Sequence, residues 1–130
     1  MNRKYLADIG DTARWDNCWG EPGDELSKSD QQFLDEYGVN PREVFNLDTA
    51  FFEWLYERVM AYENIAENFV KLDTVRDGFH YQDHTYSQRE LMHILIDKLK
   101  AVLDDGVDYD AKLVKEICTI WGELLPAMWY

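Results

Sequence analysis

The sequence predicts a mainly α fold of the α+β kind: three amphipathic helices around one core, with a small β-hairpin. Three observations predict it. Apolar residues recur at three- and four-residue steps over residues 48–70 and again after Ser87. A capping-box sequence, Ser87-Gln88-Arg89-Glu90, opens the second run. Between the two runs the helical period is lost while aromatic residues persist. At 130 residues the chain is expected to form one domain, 1–130, with an irregular segment, 1–28, packed on the helical body.

In chain order, Gly10, Gly20, Pro22 and Gly23 interrupt any period in the first 28 residues, and Trp15 and Trp19 argue that the segment packs down. Ser29 is the expected N-cap of a short helix, SDQQFLDEYG, which Gly38 closes in a left-handed conformation. Asn40-Pro41 then opens a second short piece, PREVF. Asp48 is the expected cap of the main helix, with Phe52, Leu55, Val59, Tyr62, Ala66 and Phe69 on its apolar face. Trp54, beside that face, and Trp121 and Cys118, in a later apolar run, are expected in the core. The strands FHY and TYS are expected to meet at a turn near Gln82-Asp83-His84. The helix after Ser87 presents Leu91, Leu95, Leu99 and Val102 on one face and should stop near Asp104-Asp105-Gly106. Asp110 caps a last helix, AKLVKEICTIWGELL, weakened at Gly122 and ended by Pro126.

The charge is lopsided. There are 26 acids against 13 Lys and Arg, a net of -13, on a chain that is nevertheless 46% hydrophobic and 15% aromatic. An acidic disordered tail would lack that apolar content, so the charge coats a folded body. Such a body repels nucleic acid and membranes and attracts basic protein surfaces. Residues 21–67 hold twelve of the acids and three bases. On a helix turning about 100° per residue, Glu53, Glu57, Glu63 and Glu67 share an arc of roughly 120°, with no Lys or Arg inside it. A helix shaped for stability alone would alternate Glu with Lys at four-residue steps. Together with Asp35, Glu36 and Glu43, these carboxylates make the expected partner-binding surface.

Other chemistry is thinly represented. His80 and His84 flank the expected hairpin turn and could share a zinc ion, with further ligands from Cys18, His93 or carboxylates. No resident cofactor is otherwise expected, and no CxxC is present. Asp104, Asp105, Asp108 and Asp110 resemble a calcium loop but lack the oxygen ligands and the glycine that such a loop needs at its third, fifth and sixth positions. They read better as a turn followed by an N-cap. A thiol-dependent group could be drawn from Cys18, His93 and Asp97, but no local signature surrounds Cys18. GxGxxG, Walker A, HExxH and GxSxG sequences are absent, so the expectation is a protein that binds without catalysing. With no export signal at the N-terminus and no apolar run of membrane-spanning length, the expected place is the cytoplasm of a host bacterial cell.

The stretches FFEWLYERVMAYENI, HTYSQRELMHILIDKL and WGELLPAMWY, over roughly residues 48–130, resemble small proteins carried by phages and mobile elements of Gram-positive bacteria. Some small acidic proteins of that origin are anti-CRISPR proteins, which block Cas nucleases. The resemblance implies an inhibitor of a Cas nuclease, and it assigns no inhibitory residue. The charge reading points the same way, because Cas nucleases hold nucleic acid in channels lined by Lys and Arg. The alternatives are a metal-stabilised interaction module built on His80 and His84, an immunity-type protein against a basic toxin, and an acidic structural phage protein.

Overall fold

The computed structural model describes residues 25–66, 72 and 78–128, with side chains for all of these but Arg42, Phe45 and Val107. Expectations for Trp15, Cys18, Trp19, Glu67, Phe69 and Trp129 fall outside the described residues. The fold is mainly α with one two-stranded antiparallel hairpin, in the order α1 (Lys28–Tyr37), α2 (Pro41–Phe45), α3 (Leu47–Ala66), β1 (Phe79–Tyr81), β2 (His84–Tyr86), α4 (Gln88–Asp105) and α5 (Ala111–Leu124). None of the described helices is long and apolar enough to cross a membrane. The chain divides into two compact units, residues 1–51 and 52–130.

In the first unit α1 and α2 pack together, and Phe33 and Tyr37 lie one turn apart with ring centroids at 4.7 Å. The N-cap of α1 is Ser27, two residues before the expected Ser29: its Oγ accepts the Asp30 amide N–H at 3.2 Å. Both Ser27-x-x-Asp30 and Ser29-x-x-Gln32 are capping frames in the sequence, and the helix takes the earlier one. Gly38 closes the helix at φ 79°, and its N–H donates to the Leu34 carbonyl at 2.7 Å. α3 starts one residue before Asp48. The Ala50 N–H donates to the Asn46 carbonyl, so Asp48 sits in the first turn, where its carboxylate favours the helix dipole.

The core lies in the second unit. Phe52, Leu55, Val59 and Ala66 of α3, Leu91, Met92, Leu95, Leu99 and Val102 of α4, and Ile117, Ile120 and Leu124 of α5 are all buried, with Leu72 and Tyr81. Each helical set recurs at three or four residues, so periodicity alone predicts the inward faces. α4 and α5 pack closely on each other, and Tyr109, between them in sequence, meets Phe52 edge-on at 5.3 Å. Both caps expected here form as the sequence spells them. Ser87 Oγ accepts the Glu90 N–H at 3.1 Å while Glu90 Oε1 accepts the Ser87 N–H at 3.0 Å, and Asp110 Oδ1 accepts the Lys112 N–H at 2.9 Å.

The hairpin differs in register from FHY against TYS. β2 is His84–Tyr86, and the turn is only two residues, Gln82 and Asp83, both left-handed at φ 49° and 63°. Ser87 leaves the strand because it is the cap of α4. Gly78 precedes β1 at φ 72°, and a Cβ there would lie 2.2 Å from Thr85 Cγ2, so both conformation and space require glycine.

Two expected core residues are on the surface. Trp54 is 48% exposed and Cys118 is an exposed free thiol. Each stands next in sequence to a fully buried residue, Leu55 and Ile117, and one step along a helix rotates a side chain by about 100°, out of the core. Trp121 is half-buried.

Candidate functional site

The carboxylates expected to form one stripe on α3 divide into two kinds. Glu53 and Glu57 are exposed, and the cation nearest Glu57 is its neighbour Arg58, 3.9 Å away. Arg58 is itself drawn sideways. Its guanidinium sits 4.8 Å from the Trp54 ring centroid, and Nη1 reaches back to the Trp54 carbonyl at 3.4 Å. The half-exposed indole thus lies to one side of the two exposed carboxylates, about 60° around the helix from Glu57, with one guanidinium against its ring. Large amphipathic rings of this kind are the commonest anchors of protein interfaces.

Glu63 is different. Its side chain is only 18% exposed, and a single oxygen, Oε1, accepts from Arg89 Nη1 at 3.2 Å and from His93 Nε2 at 2.6 Å. A carboxylate can only accept, so this contact places a proton on Nε2 of the imidazole. Glu63 is therefore tied to α4, a tertiary link across 30 residues that helical spacing could not reveal. His93 had a nearer candidate in Asp97, four residues on, yet its ring turns to α3. Met60, Glu63, Asn64, His93, Ile96 and Asp97 line a small groove of about 260 Å³ around this cluster.

Asp35, Glu36 and Glu43 belong to the unit of residues 1–51, and all three are exposed. Asp35 accepts from Gln31 Nε2 at 2.9 Å, an ordinary contact across one helical turn. Glu67 lies outside the described residues.

The shared metal site expected at His80 and His84 is not formed. In the observed register His80 pairs with Thr85 and His84 with Tyr81. Successive side chains on a strand point to opposite faces, so the two rings emerge on opposite sides of the ribbon. His80 Nδ1 lies 3.3 Å from Thr85 Oγ1, while His84 faces Tyr86 at 6.1 Å between centroids. Among the described residues no three His, Cys, Asp or Glu side chains converge as a metal ion would require.

A second, larger groove of about 620 Å³ runs between the hairpin turn and α5. Sequence reading missed it because it joins residues some thirty positions apart. Its one legible signal was the spacing of Lys112, Lys115, Glu116 and Thr119 along one face of α5. Beside it, Lys98 Nζ contacts Glu116 Oε2 at 2.5 Å, with both side chains largely buried.

No protein family, no curated protein and no solved structure matches the chain.

Proposed function

We propose that this protein is a non-catalytic binding protein that engages a basic protein surface through the exposed face of α3. Its narrower form is inhibition of a nucleic-acid-handling enzyme of the Cas nuclease type. The observation that carries the reading is Trp54, 48% exposed on α3 beside the exposed Glu53 and Glu57. An aromatic anchor with carboxylates along one side suits a partner that presents Lys and Arg next to an apolar pocket. A channel built to hold phosphates has that character. The excess of 26 acids over 13 bases supports the same reading, because a field of one sign steers a basic partner and keeps nucleic acid away.

The test is a cleavage assay with purified, guide-loaded Cas nucleases, run with and without the protein at low and at high salt. Inhibition should weaken as salt rises, since exposed charges are screened over about 8–10 Å at physiological ionic strength. The double substitution Glu53→Lys with Glu57→Lys should raise the inhibitory concentration by about tenfold or more, corresponding to about 1.4 kcal/mol. Trp54→Ala should do the same with less dependence on salt. Full inhibition by both variants would remove α3 as the binding face, and no inhibition of any nuclease tested would remove the narrower reading.

A further inference from the structure

We propose that the groove between the hairpin turn and α5 is a binding site for a small oxyanion, a phosphate or a carboxylate carried by a small molecule. This site is separate from the α3 face and does not depend on the function proposed for it.

The case rests first on an imbalance of charge. In a chain of net charge -13, the larger of the two grooves is lined by Lys112 and Lys115, and neither is ion-paired among the described residues. They are three apart on one face of α5, a spacing at which like charges repel and an anion held between them removes the repulsion. Acids are also present, each with its own contact or position: beside the groove Glu123 Oε1 accepts the His80 N–H at 3.3 Å. Glu116 is taken by Lys98 at 2.5 Å, which leaves Asp83 as the remaining acid of the lining.

Donors dominate the rest of the wall. His80 keeps Nδ1 beside Thr85, so its other nitrogen is the one left for a ligand. Gln82 adds an amide, and its left-handed backbone at φ 49° holds that side chain at the lip, where a hairpin turn more commonly carries Asn or Gly. A non-glycine residue in that conformation costs about 1 kcal/mol or more, a strain of the kind that collects at ligand sites.

The buried part of the wall is also incomplete. Tyr81 is 8% exposed and lines the groove, and its hydroxyl is buried with no hydrogen-bond partner among the described residues. A buried donor left in that state costs about 1–3 kcal/mol. Burial also raises the phenol's pKa, so the hydroxyl remains a donor near neutral pH. Two ammonium groups with no ion pair among the described residues, an amide and an imidazole form a set that calls for an acceptor, and the buried phenol lies behind them in the wall. The volume lies within the range of small-molecule sites, roughly 300–1,000 Å³.

The experiment is an amide chemical-shift titration of the intact protein with inorganic phosphate and, separately, with acetate. Sodium chloride at matched ionic strength serves as the control. Saturable shifts confined to residues 80–83 and 112–119 are expected in the low-millimolar range or below. Saturation by phosphate identifies a phosphate-bearing ligand, and saturation by acetate alone identifies a carboxylate. Lys112→Ala with Lys115→Ala, both exposed positions, should weaken the affinity by about tenfold. Lys100→Ala, an exposed lysine outside the groove, should leave it unchanged. The proposal is overturned if neither anion gives a saturable shift beyond the chloride control. Shifts that survive in the double variant, or an equal loss in Lys100→Ala, would overturn it as well.

Discussion

The two grooves of the second unit handle charge in opposite ways. Around the smaller one, Glu63 meets Arg89 and His93, so a half-buried acid is answered from a neighbouring helix. Around the larger one, Lys112 and Lys115 have no ion pair and the Tyr81 hydroxyl no hydrogen-bond partner among the described residues. The first arrangement holds two helices together. The second leaves donors for something outside the chain. A charged residue in a groove is thus informative only once its partners are counted, because a satisfied group has already spent its interaction energy on the fold.

The sharpest way to break this comparison is Glu63→Lys, which would set an ammonium group against Arg89 and His93 in a largely buried position. It should cost about 2–3 kcal/mol, read as a drop of several degrees in melting temperature. A melting temperature equal to that of the unaltered protein would mean that the cluster contributes nothing to stability.

Tyr81→Phe tests the other groove through pH. Burial is the largest influence on the phenol and raises its pKa above 10.0; Lys98 opposes the rise, while Glu116 and Tyr86 add to it. The folded state therefore keeps the proton to higher pH than the unfolded state. The stability this contributes is fully present below 10.0 and is lost as pH rises through the folded value. Thermal melts across this range should show the unaltered protein losing stability faster than the phenylalanine variant. At neutral pH the variant should be equally stable or slightly more so, since it removes an unpartnered hydroxyl. Parallel melting curves at every pH would show that the phenol titrates alike in both states.

The smallest effects belong to groups with little fold to support. Glu57→Lys, and separately Lys112→Ala, should each change stability by no more than about 0.5 kcal/mol in a denaturant titration. A larger loss at Glu57 would place it with Glu63 as a structural carboxylate.

Much of the fold was legible in the sequence because its signals are local. Ser87 and Glu90 lie within one turn, as do Asp110 and Lys112, and the three- and four-residue recurrence in α3, α4 and α5 marks each buried face. Errors arose where a neighbour's character stood in for a residue's own direction. Trp54 and Cys118 adjoin buried residues yet point outward, and Ser27 rather than Ser29 accepts the first free amide of α1, two capping frames two residues apart that sequence alone does not rank. The candidate site was legible only in part. Glu53 and Glu57 are exposed as their spacing implied, whereas Glu63, equal to them in sequence, is held by α4.

By itself the sequence determined the class of fold, the caps of α4 and α5, the inward faces of three helices and the excess of negative charge. All of these follow from contacts within a turn or two of the chain, or from composition. Only the tertiary structure decided which charges are spent and which remain. It turned His80 and His84 to opposite faces, paired Glu63 with residues on another helix, and gathered Lys112, Lys115 and Tyr81 along one groove. The reason is physical: the state of a charged or polar group depends on what lies within a few ångströms of it, and for these residues that neighbourhood comes from distant parts of the chain.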